Sequence, residues 1–447
     1  MKLFGNTLEI KRKDLLAYAI GILLMFFLLT FTYTTLMKYD YWPRIKTNFD
    51  QFYDADSNYW MDTMEGPFGH FSLLHPYRNL FLFPLGLVSR FFSSDLVVFF
   101  ISIGGLVLFQ TLTIRVFPIF RNLFRESKFL FFVPFFSCSA VIWIFVPESF
   151  LIAGTLIYAG VILTSTALNE RKVVFYGLLS ISLNILGFLP WLLSLIKNHS
   201  LTTSKKVLCS SLVVAISALW IFGGKRFYGD AEYLRDSPIK YSAIVPKILE
   251  SNDKIQFLHS PTLYFWHAVS GYLTGPWTVA FENSNTSEFA SPWLLAVAIS
   301  LNILSLIGLI KGIRDKSQSL SRASQSLLAF DVFMLLVFFS FGKIHDPILF
   351  MPLIMPGRLF GLYYFLINCS VRWRRALVGS VFVLTFLTIA SDILKDVPTY
   401  ELDEIKHFFE VYKTLEPGKE VHGGDWVGHD AAEEEILASY KRYQDSH

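Results

Sequence analysis

The sequence predicts an all-α polytopic membrane protein with roughly ten to twelve membrane-spanning helices. Of its 447 residues, 53% are hydrophobic and only 17% are charged, whereas a soluble domain carries about 25% charge. Apolar runs of roughly 18 residues or more recur along the whole chain, and each is long enough to cross a bilayer as a helix. We therefore expect one membrane domain, residues 1–391, and an external C-terminal tail, residues 392–447.

Basic residues in the short loops between the apolar segments predict the orientation of the chain. Lys and Arg mark the cytoplasmic side of a membrane protein. The cluster at 11–13 therefore places the N-terminus in the cytoplasm, together with the loops 121–128, 169–172 and 311–322 and the cluster at 372–375. The predicted spans are 15–37, 95–118, 129–146, 149–168, 173–196, 206–223, 291–311, 325–342, 346–369 and 375–391.

The segment 173–196 does not fit a simple alternation of inside and outside. If it crosses once, Lys197, Lys205 and Lys206 lie outside. The segment contains GFLPWL (187–192), whose Gly and Pro indicate a break. A helical hairpin of two short pieces would return the chain to the cytoplasm and place every basic loop inside. We prefer the hairpin, with a single tilted helix as the alternative.

This orientation leaves two external loops, 38–94 and 224–290, that are far longer than a connection needs. Both are rich in Trp, Tyr and Phe, which argues against disorder. The stretch PYRNLFLFPLGLVSRFF (76–92) is too short and interrupted to span, so we expect an interfacial or re-entrant helix there. WHAVSGYLTGPW (266–277) is typical either of a membrane-interface belt or of a platform for sugar rings. Basic residues form no tract for nucleic acid.

Two carboxylates lie just beyond the first span, in FYDADSNYWMD (52–62). On an extended chain, Asp54 and Asp56 face the same way because side chains alternate. Such a pair can hold a divalent cation such as Mg²⁺ or Mn²⁺, or one member can act as a general base while the other tunes it. The competing interpretation is a solvated loop in which DADS caps a helix. The position after the first span favours a functional role.

Five further polar residues are candidates for the same external face. Arg78, with His75 beside it, begins the interfacial segment and suits a phosphate, although a snorkelling Arg at a helix start is the alternative. Glu148 lines the same cavity or stabilises a helix N-terminus. Lys343 and His345 share the turn GKIHDP (342–347), which contacts phosphate or forms a His–Asp couple, or simply supplies the polar residues of a turn.

Arg358 is the sharpest single candidate, because it lies about 18 Å along a helix from the external end of its segment. That depth is near mid-bilayer, where an Arg is costly and is by default a functional hypothesis. The prolines and glycine of MPLIMPGR (351–358) predict a helix break whose backbone groups line a cavity. A lipid phosphate that reaches into the membrane would explain the charge. The alternative is a structural partner such as Asp331 on the preceding span.

These features together resemble the membrane-embedded glycosyltransferases of the GT-C class. That class has a short cytoplasmic N-terminus, a first span, and a long first external loop with an acidic motif followed by interfacial helices. Here FYDADSNYW (52–60) and PYRNLFLFPLGLVSRFF (76–92) stand at the matching places. The resemblance covers the architecture of roughly the first 120 residues. The remainder matches only in being polytopic with a second large external loop.

The resemblance implies an enzyme of the plasma (inner) membrane that acts on the external or periplasmic side. It would move a sugar, with inversion, from a polyprenyl-phosphate donor to a hydroxyl of a glycan, lipid or protein acceptor. Asp54 would remove the acceptor proton, and Asp56 would position the acceptor or help to hold a metal. Arg78, Arg358 and His345 would neutralise the lipid phosphate as it leaves.

Two other functions remain open from the sequence. A transporter or flippase of a lipid-linked saccharide also explains Arg358 and the aromatic loops, but it does not explain the carboxylate pair. A non-catalytic subunit of an envelope-assembly complex is the third interpretation. No Walker A, GxSxG or HExxH motif occurs, so coupling to ATP and hydrolysis by a serine triad have no support.

Overall fold

The fold is helical, as the sequence predicts. The computed structural model describes residues 2–3, 6–7, 12–38, 77, 85, 87–88, 91, 94–145, 150–167, 169–228, 272–273, 275–277, 292–341, 346–392 and 442. The chain divides into two compact units, Met1–Ala280 with Phe289–Ile393 and Phe281–Glu288 with Leu394–His447. In the second unit only residue 442 is described, so the architecture below is that of the first.

Helices account for nearly all the described elements. A two-residue antiparallel pair, β1 (Lys2–Leu3) and β2 (Asn6–Thr7), is the exception. The α-helices are α1 (Arg12–Lys38), α2 (Ser94–Val116), α3 (Pro118–Glu126), α4 (Val133–Phe136), α5 (Cys138–Phe145), α6 (Phe150–Thr166), α7 (Glu170–Ile181), α8 (Phe188–Ile196), α9 (Thr203–Tyr228), α10 (Pro292–Ile313), α11 (Gln318–Phe341), α12 (Asp346–Leu366) and α13 (Val371–Asp392). Short 3₁₀ helices cover Lys128–Phe132, Ile185–Gly187 and Gly275–Trp277.

Five of the described helices are long and apolar enough to cross a membrane. Large apolar side chains such as Phe26 and Leu219 are 68% and 74% exposed on two of them, as expected where lipid replaces water. The five candidate spans are Leu16–Thr34, Phe99–Val116, Thr203–Trp220, Trp293–Ile313 and Val371–Ala390. They support a membrane protein, while the count of ten to twelve spans and the sidedness stay predictions.

The chain reverses between α7 and α8, so the preferred hairpin in 173–196 is confirmed. The reversal lies just before the predicted break at GFLPWL. It is centred on Asn184, whose side chain accepts the N–H of Leu186 at 2.9 Å and so caps the turn. Pro190 lies in the first turn of α8, where its missing N–H costs no helical hydrogen bond. With 12 residues, α7 is about 18 Å long. The hairpin is therefore too short to cross a hydrocarbon core of about 30 Å.

Contacts at the two ends of the hairpin show that both ends lie at the same end of the helix bundle. Asn198, just after α8, donates hydrogen bonds of 3.0 and 2.9 Å to the carbonyls of Thr164 and Ala167 at the end of α6. Lys205 at the start of α9 pairs with Glu170 at the start of α7, at 2.5 Å. The hydrogen bond from Lys205 lowers the pKa of the Glu170 carboxyl. The basic loops on either side of the hairpin therefore cluster.

The predicted span 129–146 is wrong as a continuous helix. The structure has a 3₁₀ turn, the four-residue α4 and the eight-residue α5 in its place. Pro134 begins a new helical turn because it lacks the N–H that would continue the previous one. Ser137 is extended (φ −74°, ψ 135°) and its N–H bonds back to the carbonyl of Pro134, which ends α4.

The predicted helix break at MPLIMPGR is also wrong, because α12 is helical from Asp346 to Leu366 with Pro352 and Pro356 inside it. Each proline removes one backbone hydrogen bond, but its fixed φ is compatible with a helix. Gly154 of α6 packs directly on the backbone of Pro352. Arg358 is therefore carried by a regular helix and not by an unwound loop.

Small residues bring α10 and α12 into close contact. A β-carbon at Gly308 would overlap the carbonyl oxygen of Gly361, and one at Gly361 would overlap that of Ser305. Small residues at such crossings let helix backbones approach each other in a membrane.

We expect Gly361→Ala to lower the free energy of unfolding by about 2 kcal/mol, because the added methyl must push two backbones apart. Gly357→Ala, one turn earlier, is the matched control, since its β-carbon would meet Leu327 at an ordinary 3.6 Å. Thermal unfolding in detergent measures both variants. Equal stabilities would show that the α10–α12 crossing tolerates a methyl group.

Candidate functional site

The structure describes one of the eight predicted site residues, Arg358. The seven others lie outside the described residues, so their convergence on one cavity stays a prediction: Asp54, Asp56, His75, Arg78, Glu148, Lys343 and His345. Among the described residues, no group of three His, Cys, Asp or Glu side chains is placed to hold a metal ion. A cation at Asp54 and Asp56 likewise stays a prediction.

Arg358 is fully enclosed by the helix bundle, with 1% of its surface exposed. Its Nε donates to Oδ1 of Asp331 on α11 at 2.6 Å. Tyr272 donates its O–H to Oδ2 of the same carboxylate at 2.5 Å. The Tyr272 ring lies over the guanidinium, with 4.6 Å between Cζ and the ring centre. We call these three residues the buried triad.

The triad accounts for the charge of Arg358 but not for all of its hydrogen-bond donors. Asp331 is the structural partner that the sequence offered as the alternative explanation, and it leaves the pair without net charge. A guanidinium has five N–H donors, and Nε supplies only one of them. Nη1 and Nη2 are buried without a hydrogen-bond partner among the described residues. Because such groups are costly to bury, this edge of Arg358 is suited to an acceptor.

A small cavity lies between α6, α11 and α12. It is lined by Ile354 and Gly357, within one turn of Arg358, by Leu327 and Phe330, within one turn of Asp331, and by residues of α6 that include Tyr158. It has room for about one water molecule.

Tyr272 and Leu273, which are helical, and the 3₁₀ turn Gly275–Trp277 pack into the bundle from the second predicted external loop. We call these residues the inserted segment. Trp277 is fully buried and donates its indole N–H to Oδ1 of Asn302 on α10 at 2.9 Å. Asn302 in turn donates to the carbonyl of Leu273. Gly275 has φ +57° and lies so close to Asn302 that no side chain fits, so only glycine suits this position.

Sequence reasoning missed the inserted segment as part of the site. WHAVSGYLTGPW has the composition of an interface belt, and that composition does not distinguish a belt from a buried insertion. The sequence feature that could have revealed the insertion was the pair of polar residues that the segment contacts. Asp331 and Asn302 each lie inside an apolar helix, where a polar side chain requires a partner.

The first predicted external loop also contacts the bundle, at Tyr77. Its phenol hydrogen-bonds with Ser217 of α9 at 2.9 Å, and its backbone N–H donates to the carbonyl of Ser182 at the tip of the α7–α8 hairpin at 3.0 Å. The ring lies 6.1 Å from that of Trp220. These contacts anchor Tyr77 against the hairpin and α9.

Comparison with known proteins finds a family match in the C-terminal part of the chain. The family model of inorganic pyrophosphatase matches residues 388–444. The inorganic pyrophosphatase of Streptomyces coelicolor is 61% identical over 49 residues, which cover 11% of this chain and 30% of that protein. Those of Agrobacterium fabrum and Ralstonia nicotianae are 47% identical over 49 residues and 50% identical over 52, covering 28% and 30% of their lengths and 11% of this chain in each case.

The chain therefore spans less than a third of the curated relatives that it matches. The matched residues begin in the last turns of α13 and continue into the second compact unit. They include neither the buried triad nor the inserted segment. No solved structure matches the chain.

Proposed function

We propose that the membrane unit is a glycosyltransferase that moves a sugar from a polyprenyl-phosphate donor to an acceptor hydroxyl at the external face of the membrane. The observation that carries the proposal is Arg358, a buried guanidinium whose Nη1 and Nη2 lack a hydrogen-bond partner among the described residues. Phosphate oxygens are the acceptors that such an edge binds best. The acidic pair Asp54 and Asp56, just beyond the first span, adds a carboxylate that can act as the general base for the acceptor hydroxyl.

The reaction requires one proton transfer and one displacement. Asp54 takes the proton of the acceptor hydroxyl while the oxygen attacks the anomeric carbon, and Asp56 positions the acceptor or helps to hold a divalent cation. The bond between that carbon and the phosphate oxygen breaks, and the electron pair leaves with the polyprenyl phosphate. Arg358, Arg78 and His345 stabilise the negative charge of the departing group. Lys343 and Glu148 line the same external cavity.

The direct test supplies the purified protein with a radiolabelled polyprenyl-phosphate sugar and a mixture of glycan and lipid acceptors. We expect labelled acceptor to appear with the lipid-linked donor and not with the corresponding nucleotide sugar. Labelling from the nucleotide sugar alone would contradict the proposed donor class.

A transporter or flippase of a lipid-linked saccharide is the second candidate, and two observations favour it. The α7–α8 hairpin is a discontinuous membrane element, and ion-paired residues inside a bundle are typical of substrate pathways. This alternative predicts movement of the intact lipid-linked sugar across the membrane and no new glycosidic bond. Neither the hairpin nor the triad favours a non-catalytic assembly subunit, so that interpretation stays a third proposal.

We further propose that residues 394–447, which resemble part of inorganic pyrophosphatases, are not needed for sugar transfer. We expect a chain that ends at Asp392 to keep its transfer rate within about twofold, because the triad and the candidate acids all precede that residue. The truncated and full-length proteins are compared in the same transfer assay after gel filtration. A loss of more than about tenfold in a monodisperse truncated protein would show that the tail contributes to the reaction.

A further inference from the structure

We propose that the open end of the α7–α8 hairpin binds the headgroup of an anionic phospholipid, whose acyl chains lie along the exposed flank of the hairpin. The ligands of the headgroup are the side chains of Arg171 and Lys172 at the start of α7 and of Lys197 just after α8. We call this end of the hairpin its mouth. The mouth is at the other end of the hairpin from the tip that Tyr77 contacts, and the sugar transfer proposed above does not require it.

The first step is the way in which the first turn of α9 closes the mouth. Lys205 pairs with Glu170 at the start of α7, at 2.5 Å. Nζ of Lys206 donates to the carbonyl of Ile196 at the end of α8, at 2.6 Å. These two contacts bring the start of α7, the end of α8 and the start of α9 together. They also provide the one acid at the mouth and both lysines of α9 with partners inside the protein.

The second step is the set of basic side chains that these contacts leave over. Arg171, Lys172 and Lys197 are exposed, and their side chains form no ion pair or hydrogen bond with the described residues. Asn198, next to Lys197, binds the carbonyl of Ala167, shortly before Arg171, so the three cations lie around the same mouth. Guanidinium and ammonium groups are the side chains that bind phosphate in proteins. The mouth therefore carries unpaired positive charge that suits a phosphate.

The third step is the apolar surface beside these cations, which specifies a lipid over a soluble anion. Phe175, one turn after Arg171, is 60% exposed, and Ile196, beside Lys197, is 50% exposed. With 12 residues, α7 is about 18 Å long, and one leaflet contributes roughly 15 Å of the hydrocarbon core. A phospholipid of the leaflet at this end can therefore place its phosphate at the mouth and its chains along the flank.

The fourth step is the net charge of the headgroup. Phosphatidylcholine carries a quaternary ammonium that compensates for its own phosphate, whereas phosphatidylglycerol carries a phosphate and no cation. Each Lys or Arg near an anionic membrane surface increases the affinity about fivefold. Three unpaired cations at the mouth therefore favour an anionic phospholipid over a zwitterionic one.

The experiment measures lipid binding to the full chain in detergent by native mass spectrometry, with dioleoyl phosphatidylglycerol as the probe. Dioleoyl phosphatidylcholine has the same chains without net charge, and glycerol phosphate has the charged group without chains, so the two serve as controls. Hydrogen–deuterium exchange of the peptide 169–181, in nanodiscs with and without phosphatidylglycerol, reports where the lipid binds.

We expect the double variant Arg171→Gln with Lys172→Gln to bind phosphatidylglycerol at least about tenfold more weakly than the wild type, because each cation contributes about fivefold. Its affinity for phosphatidylcholine should not change. The variant should fold, since cations in the first turn of a helix oppose the helix dipole and these side chains have no partner to lose. Phosphatidylglycerol should slow the exchange of 169–181 in the wild type and not in the variant.

The matched control is Arg372→Gln with Arg375→Gln, which removes the same charge from exposed positions at the start of α13. This helix packs chiefly on α10 and α4. The control variant should bind phosphatidylglycerol as tightly as the wild type does.

Unchanged affinity in the hairpin variant would overturn the site. An equal loss in the α13 variant would overturn it too, because the general positive charge of the protein would then attract the lipid. Phosphatidylcholine binding as tightly as phosphatidylglycerol would contradict the anionic headgroup, and glycerol phosphate binding as tightly would contradict the lipid. The assay contains no sugar donor, so its result and that of the transfer assay are independent of each other.

Discussion

Replacing Arg358 with Met should lower the free energy of unfolding by about 3–5 kcal/mol, because it leaves the Asp331 carboxylate buried without its counter-charge. Asp331→Leu should cost a similar amount, since it leaves the guanidinium unpaired. The double variant should recover most of the loss, because replacing a whole buried pair with apolar residues removes the desolvation cost of both charges. Thermal and denaturant unfolding in detergent measure all three variants.

An exposed ion pair supplies the matched control. Lys205 and Glu170 are also in contact, but their side chains are 52% and 34% exposed, against 0% and 4% for Arg358 and Asp331. Lys205→Met should therefore change stability by less than about 1 kcal/mol. Two results would contradict a buried ion pair on which the fold depends. One is a loss of stability in Arg358→Met no larger than that in Lys205→Met. The other is a double variant no more stable than the less stable single variant.

The same double variant separates the structural role of Arg358 from the functional one. If it folds and still transfers sugar at the wild-type rate, Arg358 serves only to pair with Asp331. The proposed function instead requires a folded double variant with weakened donor binding, because the remaining apolar side chains offer the phosphate no donors.

Asp54→Asn should reduce the rate of sugar transfer by about 10²–10⁴-fold, the contribution of a general base. The amide keeps the size of the side chain but cannot take up the proton of the acceptor hydroxyl at neutral pH. Asp56→Asn should cost less, because its proposed role is positioning. The measurement is the initial rate with a saturating lipid-linked donor, on protein that elutes as wild type in gel filtration.

Asp62 lies in the same stretch, FYDADSNYWMD, and supplies the control for the acidic pair. Asp62→Asn should keep the wild-type rate, since this residue is outside the DxD motif. Full activity of Asp54→Asn would remove the catalytic role of that residue. Equal losses in all three variants would instead indicate that the loop needs acidic residues for its conformation.

The sequence predicts the position of a helix correctly where the hydropathy of the segment is sufficient to define it. The first span and the segments around α9, α10 and α13 agree with the structure within a few residues, because each must present an apolar surface along its whole length. The hairpin of α7 and α8 followed from the basic residues on both sides of it. Charge placement constrains which end of the bundle a loop occupies, even when hydropathy allows a single crossing.

Local signals failed where packing decided the outcome. Pro352 and Pro356 predicted a break, yet α12 continues, because close packing of Gly154 supports that part of the helix. The run 129–146 is apolar throughout, yet Pro134 and Ser137 divide it into short helices. At the site, Arg358 and its partner Asp331 were recognisable as charges inside apolar helices. Tyr272 was not recognisable, because its place in the triad depends on how the second external loop packs into the bundle.

We propose that this membrane unit forms a glycosidic bond at the expense of a lipid-linked donor. The most direct test places the protein in sealed proteoliposomes with a polyprenyl-phosphate sugar labelled in the sugar and an acceptor on one side. We expect labelled acceptor and released polyprenyl phosphate in equal amounts from the wild type, and neither from Asp54→Asn. Movement of the intact labelled donor between leaflets with no labelled acceptor would contradict it and establish the transporter instead.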